Sequence, residues 1–319
     1  MTNVTRRAFA AMTVGALALT LTTGTALAQN REPLRIAYAA VGSFQPFYIA
    51  ERNGWFEEAG LAVELVPGGN PQENMARLMS GEVHVAGSGS TPAIAAVAGG
   101  APVKIVFANQ NIGEIPTTGL IVRADSPYNS VADLEGRTVG VQGLQGTGAL
   151  MINRALRGAG LEPGAVTLTH MPPETHVDNL RNGNVEGVVT FALFYELAAT
   201  NPEFRVIEEA YETVKGAPGI VYTSSTRAIA ERGDDIATLI EVLDRASRHA
   251  NENPDEVRAI DRERTRLPRE YLDSREITPA GVTLDVTALE QMAEDMYAFG
   301  WISRAPSVDE MLWERMPRD

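Results

Sequence analysis

Cysteine is absent from all 319 residues. Its absence excludes disulfides, a thiol nucleophile, thiolate metal sites and a lipid anchored through cysteine. Histidine is scarce: His84, His170, His176 and His249 are the four, and no two have metal-ligand spacing. His170 and His176 flank Pro172-Pro173 and read as surface residues. Positive charge is in deficit, with 27 Lys and Arg against 41 Asp and Glu and a net charge of −14. Such a chain repels nucleic acid and anionic membrane. Acid pairs such as Glu57-Glu58 and Asp234-Asp235 read as solvated faces. Catalytic fingerprints are also missing. Gly87-Ser88-Gly89 lacks the spacing of a nucleophile elbow, and neither 87–92 nor 143–148 completes a dinucleotide or phosphate-loop pattern. The expectation is a chain without enzymatic activity, cofactor or metal.

Long apolar runs are confined to the start. Arg6-Arg7 precede an apolar stretch, Ala8 to Leu21, and Ala26-Leu27-Ala28 has the small-residue pattern of a signal-peptide cleavage site. Thr5-Arg6-Arg7-Ala8-Phe9 is similar to a twin-arginine export address. Residues 1–28 are therefore expected to be removed on export, with a mature terminus at Gln29. Of the 319 residues, 291 remain, and the net charge becomes two units more negative as Arg6 and Arg7 are lost. A chain of that length buries a sizeable core without disulfides. Together these features point to a free periplasmic protein, expected to be a monomer.

The mature chain repeats itself at a distance of about one hundred residues. The first copy runs strand Arg35-Ile36-Ala37-Tyr38, a loop at 42–46, a helix, Ala59-Gly60-Leu61, strand Val63-Glu64-Leu65-Val66, and a helix closing on Leu78-Met79-Ser80-Gly81-Glu82-Val83. The second runs strand Thr138-Val139-Gly140-Val141, a loop at 143–147, a helix, Ala159-Gly160-Leu161, strand Val166-Thr167-Leu168, and a helix closing on Leu180-Arg181-Asn182-Gly183-Asn184-Val185. Short apolar runs alternating with amphipathic stretches give the βαβ rhythm of a mostly parallel sheet. A solenoid repeats more often and at a shorter period, so two long copies predict two α/β lobes with a cleft between them. Crossings between lobes are expected near Pro116–Ser126 and Gly216–Tyr222. The boundaries are then 29–121 for the first part of lobe 1, 122–219 for an inserted lobe 2, and 220–319 for the return to lobe 1 with C-terminal helices. One of these helices is an amphipathic run from Asp235 to Asn251.

Ligands of open α/β sheets sit beyond the carboxyl ends of the strands. That rule selects four loops: 43–46, 88–91, 145–148 and 190–194. Ser43, Phe44 and Gln45 lie where the first strand meets its helix. Ser88, Ser90 and Thr91 precede Pro92, and Thr91-Pro92 is expected to open the next helix, with ordinary capping by Ser90 or Thr91 as the bland alternative. Thr147 is the second-lobe counterpart, and Phe191 or Phe194 either walls the cleft or belongs to the core. Asn111 and Thr118 lie at the end of a first-lobe strand and near the hinge. None of the four loops contains Lys, Arg, Asp or Glu. A bare cation finds no carboxylate there, whereas helix N-termini and hydroxyls replace a cationic side chain for an anion. The phenylalanines suit an apolar body or ring. The expected solute is a small monoanion, or a neutral polar molecule, with an apolar part.

Ordered blocks give a more specific resemblance. Ala50-Glu51-Arg52-Asn53-Gly54-Trp55-Phe56-Glu57-Glu58-Ala59-Gly60-Leu61, then 78–85 with Gly87-Ser88-Gly89-Ser90-Thr91-Pro92, then 130–140, then 180–189 with Phe191, resemble in order the solute-binding proteins of sulfonate, taurine and nitrate ABC importers. These are grouped with the thiamine-precursor, NMT1/THI5-like proteins. The resemblance implies a type II periplasmic-binding-protein fold, with two α/β lobes joined by two hinge crossings. It also implies delivery of the solute to an ABC permease driven by ATPase subunits. Within it, a carrier of a pyrimidine or thiamine-precursor-like heterocycle is the alternative, and a periplasmic enzyme the more distant one. The enzymatic branch is known for a cysteine-rich loop, which this chain lacks. Relatives often carry tryptophan and an acid-proline pair where Thr190-Phe191-Ala192-Leu193-Phe194 stands, so the wall of the site differs here.

Overall fold

A computed structural model describes residues 32–38, 44–68, 71–113 and 115–318. The proposed leader, residues 1–28, and Ser43 lie outside them. Two five-stranded sheets organise the chain. The first consists of β1 (Leu34–Tyr38), β2 (Val63–Pro67), β3 (Val85–Gly89), β4 (Val103–Asn111) and β10 (Pro218–Ser225), in the order β2-β1-β3-β10-β4. The second consists of β5 (Thr118–Arg123), β6 (Thr138–Val141), β7 (Thr167–His170), β8 (Gly187–Phe191) and β9 (Phe204–Ile207), in the order β7-β6-β8-β5-β9. Each has a parallel trio and one antiparallel strand. Those antiparallel strands are β10, against β3 and β4, and β5, against β8 and β9. The two sheets share one strand order, which is the structural form of the sequence repeat.

The antiparallel strand of each sheet is the one the chain enters on crossing. It leaves the first sheet at Asn111 and enters the second at Thr118; it leaves the second after Ile207 and re-enters the first at Pro218. The crossings pair with each other: Ile112 donates its N–H to Ala217, and Gly216 donates to Ile112. Tyr211 Oη donates to the carbonyls of Gly113 and Ile115, at 2.8 and 3.1 Å. This short ribbon joins the carboxyl ends of the two sheets.

Helices follow the strands. They are α1 (Gln45–Arg52), α2 (Trp55–Glu58), α3 (Pro71–Ser80), α4 (Ser90–Ala98), α5 (Thr147–Gly158), α6 (His176–Arg181), α7 (Ala192–Ala199) and α8 (Glu208–Glu212). The C-terminal set comprises α9 (Thr226–Glu252), α10 (Pro254–Arg264), α11 (Arg269–Ser274), α12 (Val286–Ala298) and α13 (Val308–Met311). Strands covered on both faces read as apolar runs, and β3 and β8 are each buried along four of their five residues. The repeated Ala-Gly-Leu blocks prove to be helix stops. Gly60 and Gly160 take positive φ, +71° and +78°. Leu61 and Leu161 donate back to the carbonyls of Phe56 and Leu156. This is the left-handed cap that glycine permits, sealed by an apolar pair. Among the described residues no helix is long and apolar enough to cross a membrane.

Two sequence expectations are corrected. Helix α4 begins at Ser90 rather than at Thr91-Pro92; its N-cap is Gly89, in extended conformation, without a side-chain cap. Pro92 then occupies the first turn, where its missing N–H costs nothing. His176 is a core residue, 0% exposed. It opens α6 and donates Nε2–H to the Met171 carbonyl, at 3.0 Å, whereas His170 is exposed.

Candidate functional site

Four helices start directly behind the carboxyl ends of central parallel strands: α1 after β1, α4 after β3, α5 after β6 and α7 after β8. A helix start exposes unpaired N–H groups and a partial positive charge. Most helices neutralise this with an acid in the first turn or a side-chain cap. Glu or Asp fills the first turn of α2, α3, α6, α8, α10, α11 and α13. Ser225 caps α9, and Asp285 caps α12. By contrast, α1, α4, α5 and α7 have neither an acid in the first turn nor a side-chain cap. Among the described residues, the four uncompensated helix starts are the four at these strand ends.

In the first lobe the expected residues gather at this edge, though several have structural partners. Phe44 is 3% exposed. It stacks on Tyr38 at 5.8 Å and meets Tyr48 edge-on at 6.1 Å. Tyr48 Oη donates to Tyr38 Oη at 2.9 Å, and burial, then that contact, pushes the Tyr48 phenol well above its ordinary range. Phe44 thus anchors α1. Gln45 is the first residue of α1, and its Nε2 donates to Asp261 Oδ1 at 2.6 Å. Ser90 Oγ donates to the Pro218 carbonyl at 2.5 Å, which ties α4 to the returning strand β10. Ser88 Oγ donates to the Gly89 carbonyl at 3.1 Å, and Thr91 is buried beside it. Asn111 Nδ2 donates to the Thr283 carbonyl at 3.4 Å, while its buried Oδ1 has no partner.

In the second lobe Thr118 pairs in register with Phe191, and its Oγ1 donates to the Thr190 carbonyl at 2.9 Å. Thr190 is fully buried, with an unpartnered hydroxyl. Thr147 opens α5 after Gly146 and is half-buried, as are Phe191 and Phe194. Ala192 has φ +50°, the one non-glycine in the left-handed region among the described residues. Its N–H donates to the Thr117 carbonyl at 2.8 Å, so a strained backbone position sits where α7 begins. Such strain persists where surrounding structure over-determines it, often at functional sites.

A further group was not legible in the sequence. Asp261 on α10 lies in the charge-rich run Asp261-Arg262-Glu263-Arg264, yet it is 1% exposed. It accepts from Gln45 and from Arg275. Beside Arg275, Ser274 Oγ donates to the Glu270 carbonyl at 2.9 Å and lies 3.5 Å from Glu196 Oε1 on α7. Burial chiefly pushes the Tyr271 phenol up, with Arg275 opposing and Glu196 and Asp261 reinforcing. Among the described residues no cluster of three or more His, Cys, Asp or Glu gathers to hold a metal.

Comparison with known proteins places this arrangement. The periplasmic aliphatic sulphonate binding protein SsuA of Escherichia coli superposes with a TM-score of 0.76 at 20% identity, over 91% of this chain and 94% of that one. The alkanesulfonate-binding protein SsuA of Xanthomonas axonopodis pv. citri, bound to MOPS, gives 0.71 at 19% identity, over 90% and 98%. A Candida albicans protein with the generic periplasmic-binding-protein fold gives 0.70 at 14%, over 91% and 99%. At these identities the likeness establishes the fold: two mixed α/β sheets arranged as in periplasmic binding proteins. No curated protein matches by sequence. The family model described as NMT1/THI5 like matches residues 42–257, more than half of the chain, and the protein belongs to the NMT1/THI5-like family.

Proposed function

We propose that this protein is the periplasmic solute-binding component of an ABC importer, and that its solute is a small organic anion with an apolar part, a sulfonate or a carboxylate. The observation that carries this reading is the set of four helix starts, α1, α4, α5 and α7, without acid or side-chain cap. Free N–H groups and aligned dipoles bind anions, and the four loops carry no charged side chain. Half-buried Phe191 and Phe194 offer apolar surface for a carbon body. The structural relatives named for aliphatic sulphonates and alkanesulfonates favour the same solute class.

The mechanism is binding with hinge closure and no chemistry. The inserted lobe, which the chain enters at Thr118 and leaves before Pro218, swings about the paired crossings, and solute bridging both lobes biases closure. The loaded form then docks on a permease driven by ATPase subunits. Export follows from Arg6-Arg7 and Ala26-Leu27-Ala28, with the mature chain starting at Gln29.

Thermal-shift and calorimetric titration of the secreted protein test the reading. Probes are alkanesulfonates, aromatic and aliphatic carboxylates, nitrate, pyrimidines and a polyamine. A sulfonate or carboxylate at one hundred times its Kd is expected to add about 2.7 kcal/mol of stability. Response to pyrimidines alone makes the protein a heterocycle carrier. Tight binding of the polyamine, without response to anions, overturns the site.

A further inference from the structure

Gln45 and Asp261 are 216 residues apart in sequence and 2.6 Å apart in space, and both are almost fully buried. A carboxylate only accepts, so the contact dictates which end of the Gln45 amide faces it. Nε2 is turned to Asp261, while Oε1 and the second N–H point elsewhere. Asp261 does not stand alone. Its other oxygen accepts from Arg275, whose side chain is 18% exposed. A buried carboxylate beside an anion site repels its ligand unless it is neutralised, and Arg275 supplies that charge. The pair is pinned from both sides. Thr265 Oγ1 donates to the Asp261 carbonyl at 2.8 Å, and Arg258 Nη2 donates to the Arg275 carbonyl at 3.3 Å.

None of this is needed to form α1. That helix is held by Phe47, Tyr48, Ile49 and Ala50, all in the core. A glutamine at its first position, oriented by a buried ion pair, has a different use. We propose that Asp261 is a positioning residue of the solute site: it fixes the Gln45 amide in one orientation, with Arg275 neutralising its charge. The inference deepens the anion-carrier reading and rests on it for the nature of the solute.

The test is a double-mutant cycle on the secreted protein, with butanesulfonate as probe and calorimetry as readout. Asp261→Asn keeps the size but presents Arg275 and Gln45 with an ambiguous amide. It is expected to weaken butanesulfonate by roughly ten- to a hundredfold, as for a disturbed buried hydrogen bond. Gln45→Ala should cost about the same, and the double variant no more than Gln45→Ala alone. Losses that multiply overturn the proposal, since a purely structural Asp261 acts whether or not Gln45 is present. A second measurement needs no solute. The Gln45 side-chain amide resonances, assigned by their loss in Gln45→Ala, should move to free-amide positions in Asp261→Asn. If they stay, the proposal fails. If the native protein binds no sulfonate while the amide moves as expected, the anion reading fails and the positioning role stands. Asp261→Glu, which keeps the charge, provides the same cycle if Asp261→Asn does not fold.

Discussion

Arg154, midway along α5, and Asp295, on α12, form an ion pair at 2.6 Å. It joins the first helix of the second lobe to the C-terminal helices that pack on α4. Asp295 is 0% exposed and also accepts from Arg157, at 2.5 Å, and from Gln291, at 3.3 Å. Arg154 is 12% exposed and donates again to the Thr213 carbonyl, at 2.8 Å, close to the returning crossing. The clasp therefore lies beside the returning crossing, while the uncompensated start of α5 lies at Thr147.

Removing the carboxylate strands a buried cation. Asp295→Ala is expected to cost about 3–5 kcal/mol, the range for breaking one side of a buried pair. Arg157, 47% exposed, is screened by water, and Arg157→Ala should cost about 1 kcal/mol or less. Chemical denaturation of both variants checks the contrast. Equal losses would show that the burial of Asp295 is not what makes the contact matter.

Ala192 gives a prediction of opposite sign. An L-residue at φ +50° has its Cβ crowded, at a cost of roughly 1–2 kcal/mol, and glycine removes that strain while loosening the unfolded chain. Ala192→Gly should raise stability by about 0.5–1 kcal/mol, and Ala192→Val should lower it. Thermal melting of the two variants decides. A destabilised glycine variant would mean that the methyl group, rather than the Ala192–Thr117 hydrogen bond, holds the start of α7.

The fold could be read from the sequence because its determinants are local and occur twice. Periodicity marked strands and helices, and Ala-Gly-Leu at 59–61 and 159–161 marked the same helix stop in each lobe. The strand-end rule then named the loops. What it could not supply was the direction of each side chain. Ser90 and Phe44 look alike as loop residues, yet one hydroxyl is committed to Pro218 and one ring to Tyr38 and Tyr48. Asp261 and His176 were hidden for a related reason. The proline-flanked histidine reads as surface and Asp261 sits among charged neighbours, and only packing of distant segments buries them. The absence of acids in four first turns was visible in the loops, but its meaning depends on the contrast with nine compensated helices.

His176 makes stability depend on pH. Burial pushes its pKa down, outweighing the Met171 contact and Glu174, which raise it; His170 adds to the lowering. Its Nε2–H is already donated to Met171, and Nδ1 is buried without a partner, so a second proton has nowhere to point. The unfolded chain binds that proton near pH 6.5 and the folded chain at lower pH. The stabilising effect is therefore complete above about pH 6.5 and is lost as pH falls through the window below it, by at most about 1.4 kcal/mol per pH unit. His176→Gln retains a donor for Met171 and does not titrate. Denaturation midpoints measured from pH 7.5 to 5 should fall more steeply for the native protein than for this variant. Parallel curves would assign the acid sensitivity to other groups.

Thr147 separates stability from binding most sharply. It is the first residue of α5, half-buried, behind Gly146, in a first turn without acid or cap. A carboxylate there meets free N–H groups and the positive end of a twelve-residue helix, an arrangement worth about 0.3–1 kcal/mol. Thr147→Asp is therefore expected to melt higher than the native protein. If α5 is left uncompensated because a solute anion completes it, the same substitution puts a fixed negative charge where the solute's charge belongs. Binding of a sulfonate or carboxylate should then weaken at least about tenfold, roughly 1.4 kcal/mol, and more so at low salt, where screening is weakest. Thr147→Asn, polar and uncharged, should keep most of the affinity. A Thr147→Asp variant that is more stable and binds the anion as well as the native protein would place the solute away from α5.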